Sequence, residues 1–247
     1  MLPKRTVNRK LHCRTPAKGH DSRINQELWT AVDSYLVQNL LPADPVLDTV
    51  LQTNAAAGLP AHDIAPNQGK LIYLLARMQR AKRILEIGTL GGYSTIWLAR
   101  AIPADGLLVS LECEAKHAKV AATNIQRAGL SSLVDLRLGP ALESLSQMIQ
   151  QQEPPFDFIF IDADKQNNAS YLALSLRLSR PGTVILSDNV VRDGAVVGAQ
   201  NSDPRIQGVR RFFEMIASDR RLDATALQTV GSKGYDGFTL AIVNDSL

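Results

Sequence analysis

The chain is poor in several things, and each shortage removes a class of protein. It has two cysteines in 247 residues, Cys13 near the N-terminus and Cys113 just after an expected strand. They suggest neither a disulfide framework nor zinc spacing, and a reducing cytosol suits them. The four histidines, His12, His20, His62 and His117, form no metal-like cluster and read as surface residues. No uninterrupted apolar run reaches the ~18 residues a transmembrane helix needs, so no membrane partner and a cytoplasmic location are expected. The formal charge is only +3 and is spread along most of the chain, which leaves no footprint for nucleic acid. No internal repeat and no interior linker is visible.

What is present is enough apolar content, 45%, for one sizeable α/β core. Residues 1–22 stand apart. Their first twenty carry Lys4, Arg5, Arg9, Lys10, Arg14 and Lys18 with no acid, and lack the apolar core of a secretory signal. They read as a disordered basic tail or an over-early start codon, with an organelle-targeting segment as the alternative. Residues 23–247 read as a single domain.

Two helices, 25–40 and 45–58, precede the first strand; a third runs from Pro66 to about Arg80 with Leu71, Ile72, Leu74, Leu75 and Met78 inward. Strands at 83–87, 107–111, 134–138, 156–161 and 183–186 then alternate with helices at 93–102, 114–128, 141–152, 168–178 and 204–218. Such alternation means a parallel sheet with right-handed crossovers. The C-terminal ATALQTV–GSKGYDG–FTLAIV reads as two strands joined by a glycine-rich turn, putting one antiparallel strand into the sheet.

The stretch RILEIGTLGGYS, Arg83 to Ser94, organises the rest. It is a buried strand, a glycine turn and the start of a helix, the usual site for a nucleotide-type cofactor in an α/β sheet. Glycine removes the Cβ, so the backbone can turn tightly and a ligand can lie against it. A dinucleotide fingerprint wants glycine at position 90, where the chain has Leu90. Glu86 is an acid inside the end of a strand, where a structural role favours an apolar residue. The plain alternative is a capping turn with no ligand.

Three polar sites fall at strand carboxyl ends. Glu112 stands 24 positions after Gly88 (112 − 88), near the distance at which an acid accepts from ribose hydroxyls. IDADK supplies Asp162, Asp164 and Lys165; SDN supplies Asp188 and Asn189. Asp162, Asp188 and Asn189 therefore converge on one rim. Two carboxylates and an amide oxygen are hard ligands that suit Mg²⁺, Mn²⁺ or Ca²⁺. Strand-end acids pointing separately to water are the alternative. Lys165 is a surface lysine, an ion-pair partner or a proton acceptor.

At these residues the chain resembles the cation-dependent, S-adenosylmethionine-dependent O-methyltransferases related to the caffeoyl-CoA and catechol enzymes, especially their small bacterial members. The resemblance covers about residues 25–245 and rests on EIGTLGGYS, Glu112, GPAL, FDFIFIDADK and SDNVVRDGAVV. It implies a Rossmann-like class I methyltransferase fold, with a mostly parallel seven-stranded sheet, one antiparallel strand and helices on both faces. It implies S-adenosyl-L-methionine as cofactor. Glu86, Gly88 and Ser94 match residues at its methionine end, with Thr89 beside them. Glu112 matches the ribose acid, Ala141 a residue beside the adenine, and Asp164 a residue near the amino group. Asp162, Asp188 and Asn189 match the metal ligands, Mg²⁺ first, with Asp162 and Lys165 as the catalytic pair and Lys165 as the base. Ile64 replaces a cofactor-binding Thr of the plant enzymes. Arg192 and Asp193 replace a Trp–Asn pair beside the plant substrate. The expected activity is methyl transfer to one hydroxyl of a vicinal diphenol by a homodimer. A nicotinamide-dependent oxidoreductase and a non-catalytic binding protein of the same fold are the alternatives.

Overall fold

The computed structural model describes residues 22–245. The expected basic tail lies outside them except for Ser22, where α1 (Ser22–Leu40) begins. Helices α2 (Pro45–Ala56) and α3 (Pro66–Met78) follow. Then come β1 (Arg83–Ile87), α4 (Tyr93–Ala99), β2 (Leu107–Glu112), α5 (Ala115–Arg127), β3 (Val134–Leu138), α6 (Ala141–Gln150), β4 (Phe156–Ile161), α7 (Asn168–Arg177), β5 (Ser179–Asp188), α8 (Pro204–Ser218), β6 (Leu222–Gly231) and β7 (Gly234–Val243). The seven strands form one sheet in the order β3-β2-β1-β4-β5-β7-β6. Among the described strands β7 alone runs against the common direction, pairing antiparallel with β5 and β6. The chain reverses direction across the sheet between β1 and β4, which pair in parallel. Their carboxyl ends therefore border the crevice where open α/β sheets bind ligands.

Strand alternation sorts the core into two halves. Ile84, Leu108, Phe158, Phe160, Val184 and Leu186 face one way and pack with Val50, Ile72, Ala76 and Ile96. Leu85, Ile87, Val109, Leu111, Ile159, Ile161 and Ile185 face the other and pack with Leu145, Met148, Leu172 and Phe212. Both faces are covered, which is why these strands read as continuous apolar runs.

Several local expectations are corrected. Leu74 and Met78 of α3 are exposed, while Ile72 and Ala76 are buried, because α3 packs through a narrower stripe. The C-terminal turn is only Ser232 and Lys233, since Tyr235, Asp236 and Gly237 pair with Val230, Thr229 and Gln228. A Cβ on Gly237 would sit 2.2 Å from the Leu227 carbonyl, so this glycine serves close strand approach and not the turn. β5 starts at Ser179, and its pairing with β4 is interrupted between Phe156 and Phe158. The interruption follows Gly182 (φ +87°) and the Arg180 N–H bond to Thr183 Oγ1. A 3-10 turn, Lys165–Asn167, precedes α7.

Candidate active site

The β1 and β2 ends carry two carboxylates that are nearly sealed. Glu86 is fully buried. Its Oε1 accepts from Ser94 at 2.5 Å. Its Oε2 accepts from Thr95 at 2.5 Å and from Ser110 at 2.6 Å. Ser110 lies directly across from Glu86 in the β1–β2 register, and its hydroxyl also contacts Thr89 Oγ1 at 2.6 Å. Loss of water is the largest influence on Glu86; it outweighs the three hydroxyls and pushes the carboxyl up to about 7.

Gly88 takes φ +101°, and a Cβ there would lie 2.3 Å from the Asp162 carbonyl. The turn thus needs glycine so that β1 can approach β4. At Gly91 the close neighbour is a protein side chain: a Cβ would lie 2.0 Å from Asn54 Oδ1 of α2. Asn124 of α5 donates to both that oxygen and the Gly91 carbonyl. The glycine turn is therefore braced from outside, and Gly91 serves that brace.

Glu112 ends β2 and is buried. Its Oε2 accepts from the Thr89 and Leu90 N–H groups, at 3.3 and 2.7 Å, and its Oε1 accepts from the Glu114 N–H at 2.9 Å. Oε1 also faces the Cys113 thiol at 3.8 Å and His117 Nδ1 at 3.4 Å. A carboxylate offers about four acceptor sites, so a ribose hydroxyl would displace one of these two weaker contacts. The Glu112 carbonyl also accepts the Gly139 N–H at 2.8 Å, which brings Ala141, the half-buried first residue of α6, to the same rim.

At the β4 and β5 ends the charges are less matched. Lys165 is buried, and its Nζ donates to Asp162 Oδ1 at 2.7 Å. Asp188 is 3% exposed. Its Oδ1 accepts the Asn189 N–H at 2.8 Å, and its Oδ2 accepts from Gln68 Nε2 of α3 at 2.6 Å. Burial first, and the Asp162 charge second, hold the Asp188 carboxyl well above the usual carboxylate range; Lys165 opposes them. Asn189 adopts φ +56°. The segment after it is anchored by Asp236 of β7, whose Oδ1 accepts the Val191 and Arg192 N–H groups at 2.9 Å each. Arg192 also pairs with Asp236 at 3.7 Å.

The structure thus brings Asp162, Lys165 and Asp188 into one cluster, and links Glu86, Ser94, Thr89 and Glu112 through the glycine turn. Asp164 stands apart: it is exposed, and its carboxylate accepts from the Tyr171 hydroxyl and from Asn167. Ile64 lies in the core. Ser110, Thr95 and Gln68 were missed. The first had a signal, a polar residue inside the apolar run LLVSL; Gln68 had none.

Among the described residues no three His, Cys, Asp or Glu side chains form a metal cluster; the third donor of the expected set is the Asn189 amide. That set still fits a divalent cation. Two neighbouring carboxylates, one of them deeply buried, have among the described residues a single lysine to offset them, and hard oxygen donors suit Mg²⁺ or Mn²⁺. The β1 and β2 ends fit a cofactor bearing hydroxyls and an amine.

The O-methyltransferase family profile matches residues 41–242. A catechol O-methyltransferase from Niastella koreensis is 50% identical over 220 residues, which is 89% of this chain and 100% of that one. The crystal structure of an O-methyltransferase from Bacillus cereus in complex with SAH is 59% identical, with a TM-score of 0.88 over 89% of this chain and 100% of that one. That of the O-methyltransferase TomG from Streptomyces achromogenes, in complex with SAM, is 47% identical, with a TM-score of 0.86 over 89% and 98%. With this likeness running through the glycine turn and both acidic strand ends, the chain belongs to the O-methyltransferase family.

Proposed function

We propose that the protein moves the methyl group of S-adenosylmethionine to one hydroxyl of a vicinal diphenol, with a divalent cation held by Asp162, Asp188 and Asn189. The observation that carries this reading is the Asp162–Lys165–Asp188 cluster at the crevice rim, beside the turn that Glu112 caps. Family membership sets aside the nicotinamide and non-catalytic alternatives.

The chemical difficulty is the nucleophile. A phenol of pKa ~10 is about a thousandth ionised at pH 7, a deficit of roughly 4 kcal/mol. A cation at this rim would supply positive charge that favours the ionised diol. Lys165 is the proposed proton acceptor; burial and the Asp162 bond hold its Nζ at the rim. It would accept the phenol proton only as the neutral amine, after a cation has taken over the carboxylates and its own ammonium proton has left to solvent. The phenol oxygen forms the new bond to the methyl carbon as the carbon–sulfur bond breaks, and sulfur keeps that electron pair. Glu112 and the turn would hold the ribose, and Ala141 would lie beside the adenine. Glu86 would act through Ser94, whose hydroxyl it orients. Such positioning is worth ~7–11 kcal/mol in favourable cases.

Chelation tests the reading. Turnover of a catechol should vanish in a chelator and return with Mg²⁺ or Mn²⁺, while S-adenosylmethionine binding by calorimetry persists. Asp188→Ala should lower kcat by about 10²-fold or more, because it removes a charged ligand. Full methyl transfer by a verified metal-free Asp188→Ala protein would sink the scheme.

A homodimer is part of the proposal. Leu28, Val32, Tyr35, Leu36 and Leu40 of α1 are exposed, and a contiguous apolar face of this kind favours a partner. Light scattering at micromolar concentration should give twice the monomer mass. Among the described residues no helix is long and apolar enough to cross a membrane.

A further inference from the structure

We propose that Gln68 is a positioning residue that sets how Asp188 presents its carboxylate to a cation. The inference rests on the cation reading given above. Asp188 and Gln68 are 120 positions apart, so only the fold brings them together. Asp188 is too buried for water to orient it. Among the described residues each of its oxygens has one donor, the Asn189 N–H on Oδ1 and the Gln68 amide on Oδ2. One donor per oxygen fixes the carboxylate plane and leaves lone pairs on both atoms. The Gln68 amide is neutral, so it orients Asp188 without adding a charge that repels a cation. Lys165 does add such a charge beside Asp162.

Gln68 is itself held. Its N–H donates to Asn67 Oδ1 at 2.9 Å, and Asn67 Nδ2 donates to Asp33 Oδ1 of α1 at 2.8 Å. Asp33 Oδ2 accepts the Ser232 N–H at 2.7 Å, from the tip of the β6–β7 hairpin. Asp33 is buried. A polar strut therefore runs from α1 and the hairpin tip through the first turn of α3 to Asp188. Removing a group that orients a metal ligand typically costs roughly 10–100-fold in metal affinity.

The test is Mn²⁺ titration of the full-length protein by calorimetry, in parallel with S-adenosylmethionine titration and thermal melting. Gln68→Met keeps the length and removes the donor. It should weaken Mn²⁺ binding roughly 10–100-fold with the melting temperature and S-adenosylmethionine affinity unchanged. Gln68→Asn keeps the amide but loses the reach, and should weaken Mn²⁺ in the same direction. Wild-type Mn²⁺ affinity in either folded variant would overturn the role of Gln68. Failure of the wild-type protein to bind Mn²⁺ would overturn the cation reading, and this assignment with it.

Discussion

The two acidic strand-end pairs of this crevice are treated in opposite ways. At the β1 and β2 ends, Glu86 has three hydroxyl donors and Glu112 has three backbone N–H donors. Those carboxylates are built into the protein and hold the glycine turn in shape. At the β4 and β5 ends, Asp188 has one amide and one N–H and a like charge nearby. A buried carboxylate with so few donors is costly unless a cation joins it. The contrast teaches where the two ligands differ. On the proposed reading S-adenosylmethionine would meet a surface the protein has largely satisfied itself, whereas a cation would complete one that is not.

The comparison breaks most sharply at Lys165. Lys165→Ala removes the positive charge that pairs with Asp162 and the proposed proton acceptor. We expect kcat to fall by about 10²–10⁴-fold, with Mn²⁺ affinity retained or raised. An unchanged kcat at saturating Mg²⁺ would show that the cation alone ionises the substrate.

Next is the pH dependence of the satisfied side. The Glu86 carboxyl sits near 7 in the fold, above the ordinary value for the unfolded chain. The folded state therefore holds this proton more tightly than the unfolded one. Its stabilising contribution is complete below about pH 4.5 and is lost as pH rises through 7, a change of up to ~3 kcal/mol. Glu86→Gln should lessen the slope of the stability profile between those values in denaturant titrations, leaving the part of the same sign that comes from the raised Asp188 carboxyl. A slope equal to wild type would mean that Glu86 is ionised in the fold throughout.

The smallest effect expected is at Glu112. Glu112→Ala leaves the Thr89, Leu90 and Glu114 N–H groups without their acceptor and takes the proposed ribose contact. S-adenosylmethionine affinity should weaken by about 1–3 kcal/mol with Mn²⁺ affinity intact. Equal weakening of both ligands would erase the division between the two pairs.

Much of this was legible in the chain. Strand-to-helix alternation predicted the sheet, and the apolar runs showed that both faces are covered. The antiparallel strand was legible from the closing hairpin. Asp162, Asp188 and Lys165 were readable because strand ends in a parallel sheet share one rim. The less legible parts depended on distant neighbours. Ser110 looked like an interruption of an apolar strand until the register set it against Glu86. The glycine turn read as a surface for a ligand, yet at Gly91 the side chain of Asn54 in α2 fills that space.

What the sequence determined by itself was periodicity, punctuation and chemical type: which residues alternate, where glycine permits a turn, and which acids close a strand. These are local properties, fixed within a few residues of chain. What the tertiary structure decided was partnership. Gln68 carries no local sign of its bond to Asp188, and the α1 periodicity does not say that Leu28, Tyr35 and Leu40 face outward while Asp33 is buried and bonded to Asn67 and Ser232. Hydrogen bonding and burial depend on which surfaces meet, and that is settled only when the helices before β1 dock against the sheet.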